Sequence, residues 1–371
     1  MKIYHISDLH IGRDLGGYDL IVEQQYTLDK IVELVKLNSI KYLLLAGDIF
    51  DKYNPSNEAM ALFDKFLIDL AKLSTRVIII TGNHDSKPKL SYLKSFLEKD
   101  NIYIYTSIPK EIVAFDDDKI SFLPIPYLHE YELNNIYGDL GNTPNEIYEA
   151  IINNFNENVD KEHTKICLCH NLIIGGMASK SERILSVGGL DAMPNTLFKD
   201  FDYTALGHLH INQKMGDKIY YSGSIMKYSV SEFNNDNKLI EFDTDTKEVS
   251  FIPIPQYRNS RIITGEFDTI LEQAKTDPYS SDFIHIELTD DGVVYDAFNR
   301  LSKYYPLIVS IGTKIGKKET TEEIETISST EIEPIDIFKE FYKFHLGEIP
   351  NDKVLTYIEK ILNSVNNDEN K

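Results

Sequence analysis

Short apolar runs alternate with polar clusters through the first 210 residues. Ile3-Tyr4-His5-Ile6, Tyr42-Leu43-Leu44-Leu45, Val77-Ile78-Ile79-Ile80, Ile166-Cys167-Leu168-Cys169 and Tyr203-Thr204-Ala205-Leu206 read as buried strands. Helical spacing takes over in between. Leu20, Val22, Leu28, Ile31, Val32 and Val35 predict a helix over 20–37. Met60, Phe63, Phe66, Leu67 and Leu70 share one face of a second over 57–73. Strand-like runs follow at 103–105, 111–114 and 119–123, with Pro124 and Pro126 expected to close the last. A helix is expected over 145–159, and strands over 219–221 and 238–242. Residues 1–255 therefore predict an α/β body, two sheets packed together and flanked by helices.

Residues 256–318 read as a smaller α/β unit. Strands are expected at 261–267, 283–288 and 307–312, and helices at 268–275 and 293–304. Lys314, Lys317 and Lys318 close it, and read as a solvated surface ahead of a phosphate contact. The polar, acidic stretch 319–333 has the composition of a linker. Two helices are expected over 334–365, opened by Pro334 and Pro350 and separated by Gly347. Their apolar faces require cover, from the body or from a partner. Residues 366–371 read as a frayed tail.

Composition narrows the picture in three places. Among 371 residues no apolar stretch approaches the ~20 that a membrane span needs. The first strand begins at once, which leaves no room for a secretion signal and makes the cytoplasm the expected location. The only two cysteines, Cys167 and Cys169, lie two apart in one strand, on one face, where a disulfide between them is geometrically poor. They read as small core residues. The formal net charge is −21, which argues against loose binding of nucleic acid by the chain as a whole. Residues 319–371 carry 13 acidic and 5 basic side chains, a net of −8, so over a third of the excess lies beyond the strand-end clusters.

Those clusters carry the chemistry. Asp8-Leu9-His10, Gly47-Asp48, Gly82-Asn83-His84-Asp85, His170 and Gly207-His208-Leu209-His210 each end a strand-like run. Asp8 and His10, like His208 and His210, lie two apart, which in extended chain puts both on one side. Seven candidate ligands result: Asp8, His10, Asp48, Asn83, His170, His208 and His210. Such mixed oxygen and nitrogen ligands suit two Mn²⁺, Fe or Zn²⁺ ions better than Mg²⁺ or Ca²⁺. Asp48 is the candidate bridge, since one carboxylate has two oxygens for two cations. A pair of cations ~3.5–4 Å apart activates water and clamps a phosphate. The leaving oxygen then needs a proton, for which His84 has suitable chemistry. Asp51 is the candidate partner for its ring, with Asp85 next. Arg13, Lys52, Lys180 and Arg183 lie near these clusters as candidate contacts for substrate phosphates.

Taken with their spacing, the clusters resemble the calcineurin-like metallophosphoesterase signature. The resemblance implies a four-layer α/β/β/α sandwich, with Asp8, His10, Asp48 and His210 on one metal and Asp48, Asn83, His170 and His208 on the other. The flanking words are closer to one branch. Ile6-Ser7-Asp8-Leu9-His10-Ile11-Gly12, Ala46-Gly47-Asp48-Ile49-Phe50-Asp51, Gly82-Asn83-His84-Asp85-Ser86, Pro124-Ile125-Pro126-Tyr127-Leu128, residues 175–183 and Tyr221-Ser222-Gly223-Ser224 are similar to the bacterial SbcD nuclease-subunit family. Cys169 stands where a glycine is more usual. That resemblance implies a Mn²⁺-dependent DNA exonuclease on duplex ends and endonuclease on hairpins. It also implies a homodimer, a small cap over 256–318, and C-terminal helices that dock an SbcC-type ATPase with a long coiled coil. The alternatives are a small-substrate phosphodiesterase or phosphatase, and a non-catalytic scaffold of the ATPase. The complete ligand set weighs against the scaffold.

Overall fold

The structure, a computed structural model, describes residues 1–92, 94–179, 192–292 and 294–313, together with Pro350 and Leu355. The expected lysine group after 313, the linker and the two C-terminal helices lie outside them, as do Lys180 and Arg183. The contacts divide the chain at Ile315, so the account below concerns the unit Met1–Ile315.

Two six-stranded sheets form its body. In the first, Lys2–Ile6, Tyr42–Ala46, Arg76–Ile80 and Ile102–Tyr105 run parallel. Lys238–Asp243 pairs antiparallel with Lys2–Ile6, and Val249–Pro253 forms the outer edge. In the second, Ile219–Tyr221, Tyr203–Gly207, Thr164–His170 and Ile120–Ile125 run parallel between two short antiparallel edges. Alternation along each strand decides what meets what. Tyr42, Leu44 and Ala46 face inward and meet Ile166, Leu168, Tyr203 and Ala205 of the other sheet. Leu43 and Leu45 face outward and pack under the helices Ile21–Leu37 and Asn57–Ala71. Cys167 and Cys169 face outward on the second sheet, in the core under the helix Pro144–Asn158. Both thiols are free and buried, and burial pushes both pKa values up, that of Cys169 to about 12. They are core residues. The layers are thus helix, sheet, sheet, helix.

Pro124 does not end its strand. Ile120–Ile125 runs through it, paired with Thr164–His170 on one side. On the other side the neighbour Val113–Phe115 reaches only as far as Phe122, so the missing N–H of Pro124 deprives no partner.

The smaller α/β unit has its own parallel sheet, Ser260–Gly265, Phe283–Leu288 and Ile308–Thr313, with a separate core around Phe267, Ile270, Ile286 and Leu301. Its expected second helix is shorter than its apolar pattern, Ala297–Leu301, because Asp296 takes a left-handed φ of 55°. Among the described residues no helix is long and apolar enough to cross a membrane.

The two sheets touch at the ends that matter. A Cβ on Gly207 would collide with the carbonyl oxygen of Ala46, in the other sheet. Gly207→Ala is therefore expected to destabilise the fold by about 1–3 kcal/mol, the usual range for overpacking. Thermal unfolding checks this, and a melting temperature equal to the parent's would show that the sheets are not in contact there.

Candidate metal centre

The C-terminal ends of parallel strands from both sheets open onto one place. Lys2–Ile6 leads to Asp8 and His10, Tyr42–Ala46 to Asp48, and Arg76–Ile80 to Asn83 and His84. From the facing sheet, Thr164–His170 ends on His170 and Tyr203–Gly207 leads to His208 and His210. The turns are tight. Asp8, His10, Asp48 and His208 all have positive φ, at 52°, 41°, 53° and 103°. Such backbone costs about 1–3 kcal/mol per residue and concentrates at functional sites. It also replaces the extended-chain argument for Asp8 and His10, whose side chains converge because the chain coils.

All seven candidate ligands meet. Asp8, His10 and His210 form one group whose ligand atoms lie within 4.8 Å of each other, and Asp8, Asp48 and His170 form another. Asp48 touches both sides, with Oδ2 3.7 Å from His10 Nε2 and 3.4 Å from His170 Nε2. The Asn83 side-chain oxygen lies 3.1 Å from His170 Nε2 and 3.2 Å from His208 Nδ1. Six of the seven are buried, Asp8 and His170 at 0% exposure, and Asn83 is half-buried.

The hydrogen bonds around the rings fit divalent cations. His170 donates from Nδ1 to the Ala46 carbonyl at 2.7 Å, and His210 donates from Nδ1 to the Glu232 carboxylate at 2.9 Å. When neutral, both therefore turn an Nε2 lone pair to the centre, the arrangement of ligating histidines. His210 Nε2 there faces His10 Nε2 at 3.1 Å, and buried His10 Nδ1 has no hydrogen-bond partner among the described residues. A cation shared by the two facing Nε2 atoms would satisfy both lone pairs, while His10 Nδ1 lies on the Asp51 side of its ring. Charge points the same way. Burial opposes a charged His170, yet the Asp48 carboxylate outweighs it and raises the imidazole to about 9. In the metal-free site a proton thus stands where positive charge is wanted. Burial holds His10 well below its ordinary range and His208 at about 3, so both remain neutral donors. Burial works against an ionised Asp48, but the His170, His10 and His84 imidazoles hold its carboxyl well below the usual carboxylate range. Burial raises Asp8, with Asp48 adding to it, while His170 and His210 pull the other way. This donor set fits divalent metal.

His84 lies beside the ligands, in a third group with His10 and Asp48 whose ligand atoms are within 4.8 Å of each other, its ring edge-on to that of His10 at 4.9 Å. Its Nδ1 donates to the main-chain carbonyl of Asp51 at 2.7 Å, which leaves Nε2 for substrate, and its own N–H donates to Asp48 Oδ1 at 2.9 Å. The partner of the ring is thus the Asp51 carbonyl. The Asp51 carboxylate lies instead 3.7 Å from His10 Nδ1 and 3.5 Å from Arg13. Asp85 closes its turn, accepting from the N–H groups of Gly82, Ile49 and Phe50. Burial and nearby Asp48 raise its carboxyl to about 7 all the same. Lys52 is exposed, and the Arg13 guanidinium lies over the Tyr228 ring.

Two supports escape a reading of sequence. Gln24, buried on the first helix, accepts from Gly12 N–H and donates to the His10 carbonyl, pinning the coiled loop from both sides. Glu232 is 1% exposed and receives Tyr228 N–H as well as the His210 ring. Neither belongs to a strand-end cluster. The one available signal is an acidic residue bound for the interior among Tyr228, Val230 and Phe233. Glu232→Gln keeps the shape but loses the charge that fixes the His210 tautomer. It is expected to weaken metal binding by about 10–100-fold, measured by competition for Mn²⁺. Unchanged affinity would remove Glu232 from this role.

Comparison with known proteins agrees with the geometry. Residues 256–345 match the family described as Type 5 capsule protein repressor C-terminal domain. The chain is 29% identical over 371 residues to the D subunit of the SbcCD nuclease of Staphylococcus saprophyticus, covering 98% of each chain. It is 28% identical over 378 residues to the protein of the same name from Staphylococcus epidermidis, covering 98% of this chain and 99% of that one. A solved structure, that of TT1561 from Thermus thermophilus, covers 68% of this chain and 99% of its own at a TM-score of 0.40 and 13% identity, too distant to inform the site. Residues 1–212, which hold every strand-end cluster, match the calcineurin-like phosphoesterase family, and the chain belongs to it.

Proposed function

We propose that this chain is the DNA-cleaving subunit of an SbcCD-type complex, a Mn²⁺-dependent nuclease that hydrolyses phosphodiester bonds at duplex ends and in hairpins. The observation that carries this reading is the likeness to two staphylococcal nuclease subunits along nearly the whole of both chains. The seven converging ligands support it. Asp8, His10, Asp48 and His210 would hold one cation and Asp48, Asn83, His170 and His208 the other. A bound pair activates water and neutralises charge on a phosphate.

The chain's own groups do the rest. Ala46 O and Glu232 fix the His170 and His210 rings. Asp48 ties the ligands to the proton donor by accepting the His84 N–H. His84 carries its proton on Nε2 and delivers it to the departing sugar oxygen, while the Asp51 carbonyl keeps the ring from turning.

The net charge of −21 supports a grip on DNA shared with a basic partner surface, supplied by the SbcC-type ATPase. Tyr92 and Phe96 support a homodimer: they are 73% and 64% exposed, large side chains close together in sequence after His84, and a twin copy would cover them. The protein acts in the cytoplasm. The deciding experiment incubates the full chain with Mn²⁺ and hairpin or blunt duplex DNA, with and without the ATPase. Cleavage of both is expected, faster with the partner. DNA left intact under every condition, with a small phosphodiester still hydrolysed, overturns the nuclease assignment.

A further inference from the structure

A cavity of 280 Å³ lies beside the candidate metal centre, and the chemistry above makes no use of it. Tyr127, His129, Tyr131, Pro144, Tyr148 and Asn171 contribute to its walls. Two of its sides are anchored to ligand loops. Asn171 directly follows His170. Tyr127 donates its N–H to the Thr81 carbonyl, two residues before Asn83, and Lys87 pairs with Glu132 at 2.6 Å across the same join. The cavity is therefore within reach of a nucleotide adjoining a phosphate at the ligands.

Its walls are aromatic in a particular order. The His129 and Tyr131 rings stack, 5.6 Å apart and 13° from parallel. Tyr127 meets His129 edge-on at 5.1 Å. Tyr131 is 65% exposed, so its ring offers a face on which a flat ligand can stack. Deeper in, the Asn171 amide nitrogen donates to the Tyr148 hydroxyl at 3.4 Å and to Met193 Sδ at 3.3 Å, which leaves the Asn171 side-chain oxygen to accept and the Tyr148 O–H to donate to the edge of a heterocycle. The volume falls just under the ~300–1,000 Å³ typical of small-molecule sites, room for one nucleoside rather than two.

We infer that this cavity binds one unpaired nucleobase of the strand being cut, stacked on the His129–Tyr131 pair. The inference rests on the nuclease reading and sharpens it. A base held in a duplex cannot enter such a pocket, so the site favours frayed ends and hairpin loops, where bases are free to turn out. Stacking on an aromatic face is tolerant of base identity, so the pocket sets strandedness and register and leaves sequence open.

The test uses the full-length protein with Mn²⁺ and a short single-stranded oligonucleotide in which one phosphodiester is cleavable and the others are methylphosphonates. A single abasic residue is moved stepwise past the cut. At one step it is expected to raise KM by roughly tenfold, the scale of one lost base stack. Tyr131→Ala is expected to raise KM for the intact oligonucleotide by a similar factor. Combined, the two losses should not add, because both remove the same contact. Tyr131→Phe keeps the stacking face and should behave as the parent. Parental KM in Tyr131→Ala, or losses that add in full, overturns the pocket. If the parent hydrolyses bis(p-nitrophenyl) phosphate but no oligonucleotide, the nuclease reading falls and takes the pocket with it. If the parent cuts DNA and Tyr131 has no effect, the pocket alone falls.

Discussion

Asp48→Ala is expected to strip both cations from the centre together and to lower phosphodiester hydrolysis by about 10³-fold or more. The reason is its position between the two histidine groups, with one oxygen 3.4 Å from His170 and 3.7 Å from His10. Its other oxygen accepts the His84 N–H, so a single substitution also loosens the loop carrying Asn83. His10→Ala and Asn83→Ala each touch one side only and are expected to leave one cation bound. Metal-to-protein stoichiometry separates these outcomes. Asp48→Asn serves as the folding control. It preserves the shape and an acceptor for His84, but it lacks the charge that raises His170 to about 9. If Asp48→Ala retains two cations at parental affinity, Asp48 is not the bridge.

The centre was legible in sequence because its ligands sit where a parallel strand must end. Val77 to Ile80 is too apolar to be anything but buried, so Asn83 and His84 had to emerge at the strand's end. The same holds for Leu43 to Leu45 ahead of Asp48. The two-sheet body was legible for the same reason, with Tyr42 and Leu44 facing one way and Leu43 and Leu45 the other.

What could not be read depends on tertiary context. The strand Val249–Pro253 ends in a proline and lies at a sheet edge, where alternation is weak and a missing N–H is harmless. The helix Glu130–Tyr137 buries only Leu133 and starts at His129, with its capping box closed by Glu132. Histidine is not among the usual capping residues, so the start signal is faint. Glu232 reaches His210 across 22 positions of chain, a distance that no local pattern encodes. Asp51 meets the His84 ring through its main-chain oxygen, not through the side chain that sequence points to, and no side-chain pattern encodes such a contact.

That last distinction makes a prediction of its own. His84→Ala is expected to lower kcat by about 10²–10⁴-fold, the usual contribution of a positioned proton donor, with both cations retained. Cation retention follows from the contacts, because the His84 N–H to Asp48 is a backbone group that alanine keeps. Asp51→Ala keeps the carbonyl that orients the ring, so it should not reproduce the loss. Its carboxylate lies 3.7 Å from His10 Nδ1 and 3.5 Å from Arg13, and removing it is expected to act on metal affinity instead. The two variants therefore part company at saturating Mn²⁺, where Asp51→Ala recovers and His84→Ala does not. A leaving group that needs no proton extends the comparison. With p-nitrophenolate departing, the penalty in His84→Ala should shrink, because a weakly basic oxygen leaves without assistance. Equal penalties for both leaving groups would move the proton donor elsewhere and leave His84 as a group that binds phosphate.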